Sequence, residues 1–125
     1  MRALIASFCL LAGVASASAS ADGPYGLWAR GDGIARVKIE PCGSNLCAIN
    51  TWIKPGVADE KVGDKLVMKV EPSGAAAMSG TAFDPQRNLS YRLNISLAGR
   101  SMTTRGCVLG GIFCKNMGWT RLSGE

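Results

Sequence analysis

Histidine is absent from this chain of 125 residues, so its chemistry must come from cysteines, scattered carboxylates and guanidiniums, and a tyrosine set in an apolar run. Without an imidazole there is no Ser-His or Cys-His nucleophile pair and no imidazole metal ligand. Among the acids, Asp59, Glu60, Asp64, Glu71 and Asp84 form no motif that would pair two carboxylates for acid–base work. Asp84 stands before Pro85 and reads as a turn residue. Gly31-Asp32-Gly33 and Gly110-Gly111 precede no helical pattern, so neither reads as a phosphate loop. The sequence therefore offers no catalytic residue, no metal site and no cofactor motif, and an enzyme is not expected.

The cysteines come into focus once the N-terminus is set aside. Arg2, an apolar stretch from Ala3 to Val14, and the small residues Ala15 to Ala21 form the pattern of a cleavable secretory leader over residues 1–21. The apolar stretch is too short to span a membrane. Cys9 lies within it and leaves with it. Four cysteines then remain, Cys42, Cys47, Cys107 and Cys114, an even number in a small exported domain, which predicts two disulfides. Three connectivities are possible. The local pairs, Cys42 with Cys47 and Cys107 with Cys114, are preferred because each brackets a turn-like segment. Loop closure gives each only about 2–2.5 kcal/mol, so hairpin geometry decides the pairing. A four-cysteine zinc site is the rival, and neither spacing is the two-residue one that zinc ribbons use.

The formal charge is +5, and +4 without Arg2. Lysine and arginine are spread without runs, and there are few aromatics to interleave with them. No nucleic-acid partner is expected, and most cations read as solvated strand faces, with loose affinity for anionic polymers as the alternative.

These side chains are positioned by strands. Punctuation at short, regular intervals divides residues 22–125 into eight: Tyr25 to Arg30, Ile34 to Glu40, Ala48 to Ile53, Leu66 to Val70, Ala76 to Phe83, Leu89 to Leu97, Ser101 to Val108 and Asn116 to Leu122. The clearest alternation sets Leu89, Tyr91, Leu93, Ile95 and Leu97 against Ser90, Arg92, Asn94 and Ser96. Eight strands joined mostly by hairpins, without helical periodicity, predict a single all-β domain, a small up-and-down antiparallel barrel. Gly26-Leu27-Trp28 near its start and Trp119-Thr120-Arg121 near its end are expected to meet where the barrel closes, with the Arg121 guanidinium stacked on Trp28.

Taken together, Gly26-x-Trp28, Ala35-Arg36-Val37-Lys38-Ile39-Glu40-x-Cys42, Leu46-Cys47-x-Ile49-x-x-Trp52, Phe83-Asp84-Pro85, Tyr91, Arg105-Gly106-Cys107 and Trp119-Thr120-Arg121 resemble the exported bacterial proteins of "domain of unknown function 2147". The resemblance covers nearly the whole chain after the leader. It implies a lipocalin-like barrel in the periplasm and no settled activity. Two departures stand out: Ala48 occupies a position usually held by glycine, and Ala75-Ala76-Ala77-Met78 is plain where an aromatic is expected. Asn88-Leu89-Ser90 and Asn94-Ile95-Ser96 match glycosylation sequons, a coincidence in a bacterial protein.

The candidate site is the apolar interior. Short strands favour a packed or very small interior, and the residues expected to line it are Val37, Ile39, Tyr91, Leu93 and Ile95. The expected function is binding of a small apolar or amphipathic molecule there. The alternative is an envelope interaction or inhibitor module acting through disulfide-stiffened loops. The apolar segment Val108-Leu109-Gly110-Gly111-Ile112-Phe113 is expected to plug one barrel end rather than present a contact surface.

Overall fold

The computed structural model describes residues 23–123, so the leader assigned to residues 1–21 lies outside the described residues. Eight strands follow one another: β1 (Gly26–Arg30), β2 (Ala35–Cys42), β3 (Asn45–Ile53), β4 (Lys65–Gly74), β5 (Ala77–Asp84), β6 (Leu89–Ala98), β7 (Ser101–Val108) and β8 (Phe113–Ser123). Each pairs antiparallel with the next, and β8 returns to β1, so the sheet is a closed barrel. In that last seam Trp28 faces Arg121, Ala29 faces Thr120 and Arg30 faces Trp119. Closure leaves no sheet edge exposed.

Alternation along the strands sets the interior. Ala35, Val37 and Ile39 of β2, Met68 of β4, Ala82 of β5, Leu93 and Ile95 of β6 and Met102 of β7 are all buried and form one cluster with Trp28 and Leu46. The outward residues between them, such as Arg36, Lys38, Arg92 and Asn94, are exposed. A one-residue slip in any strand would exchange the two sets, so the pattern fixes the register.

The hairpins divide into two ends. One carries the chain start and the β2–β3, β4–β5 and β6–β7 turns; the other carries the β1–β2, β3–β4, β5–β6 and β7–β8 connections. The two cross-links are divided in the same way. Cys42 and Cys47 join across the β2–β3 hairpin with Cα atoms 5.7 Å apart, and Cys107 and Cys114 join β7 to β8 with Cα atoms 4.0 Å apart.

Three strands run furthest beyond their sequence patterns. β3 begins at Asn45 rather than Ala48, because Cys42 already pairs with Asn45 and the turn shrinks to Gly43 and Ser44. β4 continues through Pro72 to Gly74, where a bulge opposite β5 accommodates the proline. β8 begins at Phe113 rather than Asn116, since Val108 pairs with Phe113.

Candidate functional site

The barrel is sealed at the end where the chain begins. Trp28 has no exposed surface and Arg121 is 7% exposed. The Arg121 guanidinium carbon lies 4.3 Å from the centre of the Trp28 ring. Its two terminal nitrogens donate to the Tyr25 and Gly23 carbonyls at 2.6 and 2.7 Å, and the Trp28 indole N–H donates to the Pro24 carbonyl at 2.9 Å. A planar fork fills all these roles at once, which an ammonium cannot. Gly26 pairs with Ile39 beside this seal. Trp119 lies in the same closing seam opposite Arg30, donates its indole N–H to the Thr104 hydroxyl at 3.0 Å and faces the interior further along.

Past the seal the interior holds a cavity of about 210 Å³. Val37, Ile39, Tyr91, Leu93 and Ile95 all contribute to its wall, with Met68 and Met102. Val37, Ile39, Met68, Leu93, Ile95 and Met102 are all buried in the core cluster, so its floor is apolar. The half-buried Tyr91 ring lies over Gly106, where an added Cβ would meet Cε2 at 2.8 Å. Burial pushes the Tyr91 phenol above its usual range, with the nearby Asp84 carboxylate adding to the rise, so it stays protonated at neutral pH.

The cavity continues into a wider mouth of about 540 Å³, which shares Arg30, Glu60, Asp84, Arg87, Tyr91, Leu93, Thr104 and Trp119 with it. One side of this mouth is apolar, with Leu89, Val108, Phe113 and Met117. The other is a lattice of charges. Arg30 grips Glu60 with both terminal nitrogens, at 2.9 and 2.8 Å, while its Nε donates to Asp32 at 3.0 Å. Arg87 donates to Asp84 at 2.8 Å and to the Asp59 carbonyl at 2.6 Å. These bonds tie the long connection between β3 and β4, residues 54–64, down to β1 and to the β5–β6 turn.

A protein family described as "Uncharacterized protein conserved in bacteria (DUF2147)" matches residues 26–121, the span from β1 to the arginine that seals the barrel. The chain belongs to the DUF2147 family. No curated protein and no solved structure matches it.

The charged half of the DUF2147 mouth corrects the reading of Arg30 as part of a solvated face. Arg30 points inward, and its side chain is 15% exposed. Strand parity contained this: Trp28 and Arg30 share a face, so an interior Trp28 places Arg30 inside too, where it needs carboxylates. Nothing local signalled its partner. Glu60 sits in an aperiodic stretch thirty positions away. Asp84 does serve as the expected turn residue, accepting from the Gln86 and Arg87 backbone N–H groups at 3.0 and 3.2 Å, but it also lines the cavity.

The expected plug is also corrected. Leu109, Ile112 and Phe113 are 68%, 73% and 61% exposed, and of the three Phe113 alone borders the mouth, so the segment does not fill the barrel end. Leu109, Gly110 and Gly111 adopt φ of 54°, 69° and 95° in succession, an uncommon left-handed run that forms the turn between β7 and β8. At the sealed end, the plain Ala75, Ala76, Ala77 and Met78 border a separate depression of about 330 Å³.

The ion pairs give the mouth a pH dependence. The bond from Arg30 holds the Glu60 carboxyl below its usual range, against the opposing pull of burial. Burial alone would raise Asp32 and Asp84, but bonds from Arg30 and Arg87, respectively, with further donors, bring both below their usual values. Depressed carboxylates add stability above their unfolded pKa and lose it as pH falls through the folded value. The urea midpoint should therefore fall between about pH 5 and pH 3, and less steeply in Glu60→Gln. A variant that tracks the parent at every pH would exclude the Arg30–Glu60 latch as a contributor.

Proposed function

We propose that the barrel binds a small amphipathic molecule, with its apolar part in the cavity and its polar end at the mouth. The observation that carries this reading is that an apolar floor of Val37, Ile39, Met68, Leu93, Ile95 and Met102 opens, past charged walls, into a mouth whose two halves differ in polarity. An apolar cavity of about 150 Å³ accepts a benzene-sized group, so about 210 Å³ suits a ring or a short chain. The charges lining it balance, Arg30, Lys65 and Arg87 against Glu60, Asp64 and Asp84. A ligand end that hydrogen-bonds without carrying net charge fits this lining best, with the Tyr91 and Thr104 hydroxyls within the same wall.

The lack of histidine in the sequence supports binding over catalysis. The leader pattern and the two disulfides support an exported, periplasmic location.

Titration with the neutral fluorescent probe N-phenyl-1-naphthylamine tests the proposal. Micromolar affinity is expected, about 8 kcal/mol, or about 0.5 kcal/mol for each of roughly seventeen heavy atoms. Leu93→Phe, which fills the cavity with apolar volume, should weaken the probe at least tenfold, and Ile112→Ser should leave it unchanged. Absence of binding, or a signal lost with Ile112→Ser and kept in Leu93→Phe, would overturn the interior site.

A further inference from the structure

The segment between the second pair of cysteines has an unusual construction. Leu109 adopts the left-handed conformation (φ 54°), which is costly for a residue with a Cβ, yet its side chain is 68% exposed and gains no burial in return. Ile112 and Phe113 beside it are 73% and 61% exposed. The cross-link from Cys107 to Cys114 fixes the base of this turn. Three large apolar side chains are thus held largely in water on a stapled tip.

The barrel end that carries the tip also carries acids: Asp32, Glu60 and Asp84 are held in ion pairs with Arg30 and Arg87, and Asp59 lines the mouth. From Pro85 to Gly124 the sequence contains no aspartate or glutamate. The same stretch supplies Arg87, Arg92, Arg100, Arg105, Lys115 and Arg121. Arg121 is sealed inside, Arg87 is paired with Asp84, and Arg100 donates to the Arg121 carbonyl. Arg92 and Arg105 on the outer wall and Lys115 at the mouth lie beside the base of the tip. In the strand register Arg92 faces Cys107, Arg105 faces Asn116 and Lys115 faces Gly106, all within two positions of the cross-link.

We propose that this tip docks the protein on an anionic lipid bilayer. Leu109, Ile112 and Phe113 would enter the interfacial region, and Arg92, Arg105 and Lys115 would lie against the headgroups. The apolar area suits lipid better than a folded partner. Stable protein interfaces bury roughly 800 Å² on each side, and three side chains on a narrow turn fall well short of that. Partial insertion needs only the tip, and cations at the surface supplement it. The orientation has a consequence for the proposed ligand site, because Phe113, Val108 and Lys115 border the mouth and would bring its apolar half next to the bilayer. The docking itself does not depend on the cavity being filled.

Co-sedimentation of the purified protein with vesicles decides the matter. One set is phosphatidylcholine alone and the other a mixture of phosphatidylcholine and phosphatidylglycerol. Binding should favour the anionic mixture and weaken with salt. Neutralising Arg105→Gln and Lys115→Gln should each cost about fivefold, and the Ile112→Ser, Phe113→Ser double variant at least tenfold. Lys69→Gln, on the exposed face of β4 across the barrel, should change nothing. All these side chains are exposed, and an unchanged circular dichroism spectrum confirms that each variant folds. The proposal is overturned if neither vesicle binds, if the anionic mixture holds no advantage, or if the tip variants bind as the parent does. Lipid-free self-association that the double variant abolishes would instead assign the tip to protein contact.

Discussion

Arg121→Ala is expected to lower the unfolding free energy by about 3 kcal/mol, although it removes a single side chain at the edge of the core. The substitution strips three contacts at once. A buried cation–π contact is worth about 2 kcal/mol, and each bond from a charged donor about 1.5–3 kcal/mol. These do not add in full. Removing the guanidinium also relieves its own desolvation, and the Gly23 and Tyr25 carbonyls regain water once the seal is open. Trp28 cannot recover as easily, since its ring has no exposed surface and would be left against a void. Arg121→Lys should restore part of the loss, by returning charge to the ring without the fork that reaches both carbonyls. Urea titration reads both. An unchanged midpoint in the alanine variant would remove the seam between β1 and β8 as a source of stability.

Gly80→Ala should be as damaging, for a reason unconnected with charge. Gly80 pairs with Val70 where β4 and β5 curl tightly. An added methyl group would overlap the Lys69 carbonyl oxygen and lie 2.9 Å from both the Lys69 carbonyl carbon and the Val70 Cα. All three are backbone atoms, so no rotamer change gives way, and the two strands must separate locally. A cost of about 3 kcal/mol is expected, the upper part of the usual range for overpacking. Gly118→Ala provides the contrast, because its Cβ would meet nothing within 4 Å. That variant should stay within about 0.5 kcal/mol of the parent. Equal midpoints for the two alanine variants would show that the close approach at Gly80 relaxes freely.

Where the sequence was legible, one side-chain pattern decided one structural choice. The alternation from Leu89 to Leu97 named an inner face, and its inward members Tyr91, Leu93 and Ile95 line the cavity. Cysteines five and seven positions apart suited hairpins and meet across them. Strand ends were harder to read, because pairing continues through residues with weak strand preference once the partner strand is in place. Pro72 in β4 and Asn45 at the start of β3 are examples. The charged mouth was harder still. Glu60 reaches Arg30 from a loop without periodicity, and only the closed barrel brings the two together. The exposed tip was misread for a related reason: its composition suits a plug, while its direction depends on backbone angles that composition does not specify.

The closing seam also orders events in time. Every other strand pair joins neighbours in sequence, whereas the bonds from Arg121 reach back 96 and 98 positions. Contacts so distant along the chain are the slowest to find, because the whole intervening loop must first be organised. Folding therefore leaves β1 waiting for β8, and until β8 is in place the sheet is an open, twisted ribbon with two unpaired margins. A ribbon in that condition invites strands from other chains. Arrival of β8, rather than any gradual ripening of the core, is what converts it from a sticky sheet into a self-contained vessel.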